Sequence, residues 1–133
     1  MKAFFDTNIL VYTTTSDAKK QKALDCLRGG GIVSVQIFSE FVHVARRKLR
    51  YDWPQIEQAL NLFRTSVDDI VPLTQATHSS ALALARDHGV AFYDAVVLAS
   101  AIEAGCDTLV SEDLQHGRSF GTLVIVNPFF KAP

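Results

Sequence analysis

The sequence predicts an α/β fold, a sandwich with a mainly parallel sheet, carried by one domain over residues 1–133. Three observations predict it. Short apolar runs alternate along the chain with longer helical patterns. The length of 133 residues fits one domain of roughly 100 to 200 residues and is too short for two full cores. Apolar residues make up 48% and charged residues 20%, the balance of a compact chain rather than a disordered one.

The elements follow in order. Lys2 to Phe5 is a short apolar-rich run that meets an acid at Asp6. Asp17 caps a helix over Ala18 to Leu27, whose buried side holds Ala23, Leu24 and Leu27. Gly29, Gly30 and Gly31 stop it. A phosphate-binding loop would follow a strand and open a helix, whereas these glycines follow a helix and precede the strand candidate Ile32 to Val35. From Val35 to Arg50 the residues Val35, Phe38, Val42, Ala45 and Leu49 form one helical stripe, widened by Ile37, Phe41 and Val44. The remaining seam holds Gln36, Glu40, His43, Arg47 and Arg50.

Asp52 before Trp53 and Pro54 starts the next helix, which buries Ile56, Ala59, Leu60 and Phe63 and ends at Asp68 and Asp69. Ile70 to Leu73 is extended, Thr74 or Thr77 caps a helix to about His88, and Gly89 closes it. The helix over Tyr93 to Ala104 is apolar almost all round, which makes it central, and Gly105 ends it. Asp107 to Val110 is a strand, Ser111 to Ser119 a polar loop, and Gly121 to Val126 contains a β-branched strand.

Thirteen basic and fourteen acidic side chains give 13 − 14 = −1, which disfavours tight, nonspecific nucleic-acid binding through phosphate neutralisation. A transient nucleic-acid substrate remains compatible where bound cations supply positive charge locally. Asp6 interrupts the N-terminal run before a signal-peptide core develops, and no stretch approaches the length of a membrane span, so a cytoplasmic protein with no membrane partner is expected. Cys26 and Cys106 are too few and too far apart for a disulfide framework or a cysteine metal site; two buried, reduced thiols are expected.

Four acids stand where a packed fold prefers something else: Asp6 after the first strand, Glu40 on a largely buried helix, Asp94 in the first turn of the central helix, and Asp113 after a late strand. Each has a structural explanation. Asp6 could cap a turn, Glu40 could pair with His43, Asp94 could be an N-cap, and Asp113 could be solvated loop. Ligands of parallel sheets collect outside the carboxyl ends of the strands, so the four acids together suggest a shared site. Such a cluster repels itself unless a divalent cation joins it, and carboxylates with water are the ligands that Mg²⁺ or Mn²⁺ selects. His43, His78, His88 and His116 show no zinc-site spacing.

The segments Phe4 to Tyr12, Ser39-Glu40, Phe92 to Ala95 and Leu109 to Gly117 resemble, in the right order, the PIN domain, and most closely its VapC-type toxin ribonucleases. The resemblance implies a three-layer α/β/α sandwich with a mainly parallel central sheet, an Mg²⁺- or Mn²⁺-dependent endoribonuclease, and catalytic, metal-holding roles for Asp6, Glu40, Asp94 and Asp113. It also implies a cognate antitoxin whose C-terminal segment covers the acidic site, and a toxin homodimer. Two positions depart from the family pattern: Thr13 to Asp17 lacks an acid often found just beyond the first strand and turn, and Ala91 stands where a small hydroxyl residue is frequent.

On this reading Thr7, Asn8 and Ser111 orient ligands or phosphate, and RNA is cut by a metal-activated water, leaving 5′-phosphate and 3′-hydroxyl ends. Arg47 and Arg50, on the seam with Glu40, are candidates to grip RNA backbone, against the alternative of a solvated helix end. A phosphoaspartate enzyme would want an acid at position 8, which is Asn, and a receiver domain a lysine after a late strand, where only Lys131 stands. The alternative of another class is a catalytically inactive PIN-like scaffold that binds a protein. Retention of four mutually repelling acids argues against it.

Overall fold

The computed structural model describes residues 1–133. Its elements are β1 (Ala3–Phe5), α1 (Thr7–Thr14), α2 (Lys20–Arg28), β2 (Ile32–Ser34), α3 (Val35–Arg47), α4 (Trp53–Ser66), β3 (Asp69–Val71), α5 (Gln75–His88), α6 (Phe92–Glu103), β4 (Thr108–Val110), β5 (Ser119–Phe120) and β6 (Leu123–Val126). One six-stranded sheet has the order β3-β2-β1-β4-β6-β5, parallel throughout except for the β5–β6 pair. The α/β sandwich expected from the alternating pattern is therefore present.

Every residue of β1, β2 and β4 is buried, as in a parallel sheet covered by helices on both faces. Phe4, Phe5, Ile9, Leu10, Ile37, Phe41, Leu98 and Leu109 are the bulk of the main core, and all are at most 1% exposed. Helix α6 buries seven of its residues in succession, Ala95 to Ala101, which is why its apolar residues run all round. No helix is long and apolar enough to cross a membrane.

Several boundaries move, each for a local reason. The sequence reading has only a turn after Asp6, where the structure has α1. Ile9, Val11 and the threonines of this segment are poor helix formers, but Ile9 and Leu10 are fully buried, and that packing overrides propensity. Thr13 and Thr14 return their hydroxyls to the carbonyls of Leu10 and Val11 at 2.6 and 2.8 Å. Helix α2 begins at Lys20 rather than Ala18, because Asp17 accepts from the Lys19 amide (2.8 Å) in a turn ahead of the helix instead of capping it.

Helix α3 stops at Arg47, three residues short of the expected Arg50, which has a left-handed φ of 56°. Thr74, not Thr77, is the N-cap of α5, and the two exchange a capping box, while Gly89 closes that helix at φ 67°. The antiparallel β5 is an edge that the sequence reading leaves as loop. Of the two free thiols, Cys106 is buried and Cys26 only half-buried. Gly31 has a packing reason: a Cβ there would stand 2.8 Å from the Ala3 carbonyl and closer still to the Phe5 ring.

The strand order places the topological switch point between β1 and β4, since the chain runs outward from β1 through β2 to β3 and returns on the other side with β4. Ligands of open α/β sheets bind at the carboxyl ends of the strands at such a point.

Candidate acidic site

Asp6 and Ser111 are the first residues beyond β1 and β4, so the switch point itself brings them together. Asp6 is the N-cap of α1, its Oδ1 accepting from the Thr7 amide at 2.8 Å. Its Oδ2 accepts from Ser111 Oγ at 2.7 Å. The capping role read for Asp6 is therefore real and uses one oxygen of two. Burial leaves the side chain 6% exposed and pushes its pKa up to about 6; the Ser111 and Thr7 bonds oppose this, and repulsion from Asp113 and Glu40 adds to it.

Glu40 comes from the middle of α3, beyond β2. It does not pair with His43. Thr7 Oγ1 donates to its Oε2 (2.6 Å) and Gln36 Nε2 to its Oε1 (2.8 Å). Asp113 lies in the loop after β4, where Asn8 Nδ2 donates to its Oδ2 at 3.0 Å and Ser111 Oγ accepts from its amide at 3.2 Å. Asn8 works at both ends: its Oδ1 also accepts from the Glu112 amide at 3.2 Å, so one amide clamps the 112–113 segment.

Asp94 is the third residue of α6, with Ala91 at the N-cap, so the expected cap role does not apply. It is half-buried; burial raises its pKa, followed by repulsion from Asp113 and then Glu40.

Asp6 and Asp94 thus each feel Glu40 and Asp113. No lysine or arginine forms an ion pair with any of them; the ion pairs are Lys19–Glu112, Arg28–Asp25 and Arg86–Asp87. The contrast within Glu112-Asp113 is informative. Glu112 is neutralised by Lys19 and accepts from the Tyr12 hydroxyl at 2.6 Å, whereas Asp113 has only a neutral amide.

The donor set, hard carboxylate oxygens without counter-charge, fits Mg²⁺ or Mn²⁺ in kind. It is not preassembled. No three acidic, histidine or cysteine side chains stand together as a ready metal-binding group.

The residues expected to orient the acids do touch them: Ser111 holds Asp6, Thr7 holds Glu40 and Asn8 holds Asp113. Arg47 and Arg50 are exposed at the end of α3 and do not line the cavity of about 480 Å³ beside the acids. That cavity is walled by Thr7, Asn8, Glu40, Asp113, His43 and Lys48 among others. Lys48 is the residue sequence reasoning missed. It is the C-cap of α3, one helical turn beyond Val44, and belongs to the dense basic run of Arg46, Arg47, Lys48 and Arg50, from which the Glu40 seam selects Arg47 and Arg50 instead.

A parallel sheet with uncompensated carboxylates at its switch point defines an α/β domain with an acidic site. A family model described as the PIN domain matches residues 3–118, and the chain belongs to that family. Three solved structures share the fold. A toxin–antitoxin complex from Klebsiella pneumoniae is 21% identical at a TM-score of 0.72, over 96% of this chain and 98% of that one. VapC20 of Mycobacterium tuberculosis, described as a sarcin-ricin loop cleaving toxin, is 17% identical at 0.68, over 81% and 87%. VapBC2 of Rickettsia felis, bound to a DNA fragment from its promoter, is 18% identical at 0.67, over 94% and 97%. Identities this low show the fold alone. No curated protein sequence matches the chain.

Proposed function

We infer that residues 1–133 act as a single-domain, Mg²⁺- or Mn²⁺-dependent endoribonuclease, the toxin of a toxin–antitoxin pair. One observation carries the reading: Asp6 and Asp94 are each repelled by Glu40 and Asp113, none of the four has a cationic partner, and Asp6, Glu40 and Asp113 are steered by neutral donors only. Neutral donors orient a carboxylate without cancelling the charge a cation needs. Membership of the PIN family, whose nucleases use divalent metals, supports the same reading.

Asp6, Asp94 and Asp113 would hold the ion or ions, with Glu40 as a further ligand or as acceptor for water. When bound, the metal offsets carboxylate–phosphate repulsion, makes water a better nucleophile and stabilises the leaving oxygen. Ser111 keeps Asp6 aimed from the sheet edge, Thr7 turns Glu40 inward, and Asn8 fixes the loop that delivers Asp113. Lys48, with Arg47 and Arg50 beyond it, would meet the RNA backbone.

The toxin–antitoxin complexes among the fold neighbours support an antitoxin partner, and we extend the reading to an antitoxin segment over the acids, a toxin homodimer and a cytoplasmic location. An inactive scaffold would gain stability by discarding the buried charge at Asp6, which this chain keeps.

The test is incubation of the purified protein with a panel of structured RNAs, with and without Mg²⁺ or Mn²⁺, and mapping of the cut ends. Metal-dependent cuts with 5′-phosphate and 3′-hydroxyl ends, lost in Asp6→Asn, are expected. Equal cleavage by Asp6→Asn would remove the acids from the chemistry.

A further inference from the structure

Helix α6 carries three neighbours at its start, Phe92, Tyr93 and Asp94. The acid belongs to the site above; the rings have no role in it. Tyr93 is 74% exposed, unusually open for so large a ring. Phe92 supports it edge-on, with centroids 5.9 Å apart, and His78 of α5 packs edge-on against Phe92 at 5.2 Å.

Together these rings border a separate cavity of about 380 Å³, closed on its other sides by Gln36, Leu73 and Thr74. Leu73 is also exposed. The cavity adjoins the acids through one covalent neighbour and one hydrogen bond: Tyr93 precedes Asp94, and Gln36 donates to Glu40 from one turn earlier on α3.

Gln36 supplies a second, independent observation. Its Nε2 must face Glu40, because a carboxylate only accepts, and this leaves its Oε1 buried with no hydrogen-bond partner. A buried acceptor without a donor is a standing cost that a ligand N–H relieves after a small shift of the side chain.

We propose that the Phe92–Tyr93–His78 cluster is a base-stacking subsite for single-stranded RNA next to the acids, with Gln36 Oε1 as acceptor for an N–H on the edge of the bound base. This rests on the ribonuclease reading above and deepens it.

Charge chooses the occupant. At a net charge of −1, and with acids at the site, the chain cannot hold RNA by phosphate neutralisation alone. Stacking on an open aromatic face is indifferent to that charge, and unpaired bases can reach it. A purine stacks over more area than a pyrimidine and fills the subsite better.

The test is the affinity of the full-length protein for short oligoadenylate and oligouridylate RNA, read by fluorescence anisotropy in EDTA so that no cleavage intervenes. Tyr93→Ala should weaken oligoadenylate binding about fivefold or more, while Tyr93→Phe holds it within about twofold. The dependence on salt should not change, since no phosphate contact is removed. Exposure of Tyr93 makes Tyr93→Ala safe for folding, and circular dichroism checks this.

Equal binding by Tyr93→Ala and the unchanged protein would overturn the subsite and leave the nuclease reading intact. Tyr93-dependent binding by a protein that cuts no RNA with metal would support the subsite and remove the nuclease reading. If Tyr93→Ala instead lowers the mass seen by light scattering with RNA affinity unchanged, the rings join two copies of the chain, and the subsite is overturned.

Discussion

Ser111 Oγ lies 2.7 Å from Asp6 Oδ2, joining the carboxyl ends of β1 and β4 across the switch point of the sheet. Both residues are buried, so the bond fixes the direction of a carboxyl that water can barely solvate. A neutral donor limits the rise of the Asp6 pKa without abolishing it.

Asp6 should oppose stability at neutral pH. Its folded pKa of about 6 lies above the ordinary 3.8, so its contribution is fully present below about 4 and lost as pH rises through 6. In metal-free protein, Asp6→Asn should therefore be more stable at pH 7, by on the order of 3 kcal/mol, and the advantage should vanish near pH 4. Urea unfolding of both proteins across this range measures it; Mn²⁺ should reverse the order at pH 7.

Removing the Ser111 hydroxyl leaves Asp6 Oδ2 without its buried donor. Ser111→Ala should cost about 1–3 kcal/mol at pH 7. It should also move the Asp6 pKa higher, because that bond lowers it. Carboxyl chemical shifts followed through a pH titration would detect the move.

Asn8→Ala frees both Asp113 and the Glu112 amide while leaving every acid in place. Metal affinity and RNA cleavage should fall about 10–100-fold, the range for groups that orient ligands. Only a small fall in melting temperature is expected, since the Asn8–Asp113 bond is exposed and the Glu112–Asn8 bond only part-buried. Calorimetric Mn²⁺ titration separates the two effects.

Lys48→Ala should weaken binding uniformly across RNA sequences and reduce the slope of log affinity against log salt by about 1. Replacing Arg47 and Arg50 together should do so only on RNA long enough to pass the end of α3. An unchanged slope on long RNA would make those two arginines a solvated helix end.

Much of this fold is legible in the amino-acid sequence. Strand-helix alternation and capping signals such as Asp52 and Thr74 are local, and they located most elements. The four acids were legible because carboxyl groups at strand ends and in an apolar helix contradict the burial pattern around them. Helix α1 was not, since its β-branched residues argue against a helix and only the burial of Ile9 and Leu10 supports one. The end of α3 was hidden by the stripe continuing to Leu49, past the point where Tyr51 donates its amide to the Ala45 carbonyl (3.0 Å) and turns the chain. The pairing of Ser111 with Asp6 and of Thr7 with Glu40 depends on sheet order, which no local pattern encodes.

The Ser111–Asp6 bond spans 105 positions of chain. During synthesis β1 and α1 emerge first, while β4, which flanks β1 in the sheet, and the loop bearing Asp113 have still to leave the ribosome. The acidic face is therefore complete only after translation has passed Asp113, and a product truncated before that point lacks both Ser111, the buried donor to Asp6, and Asp113.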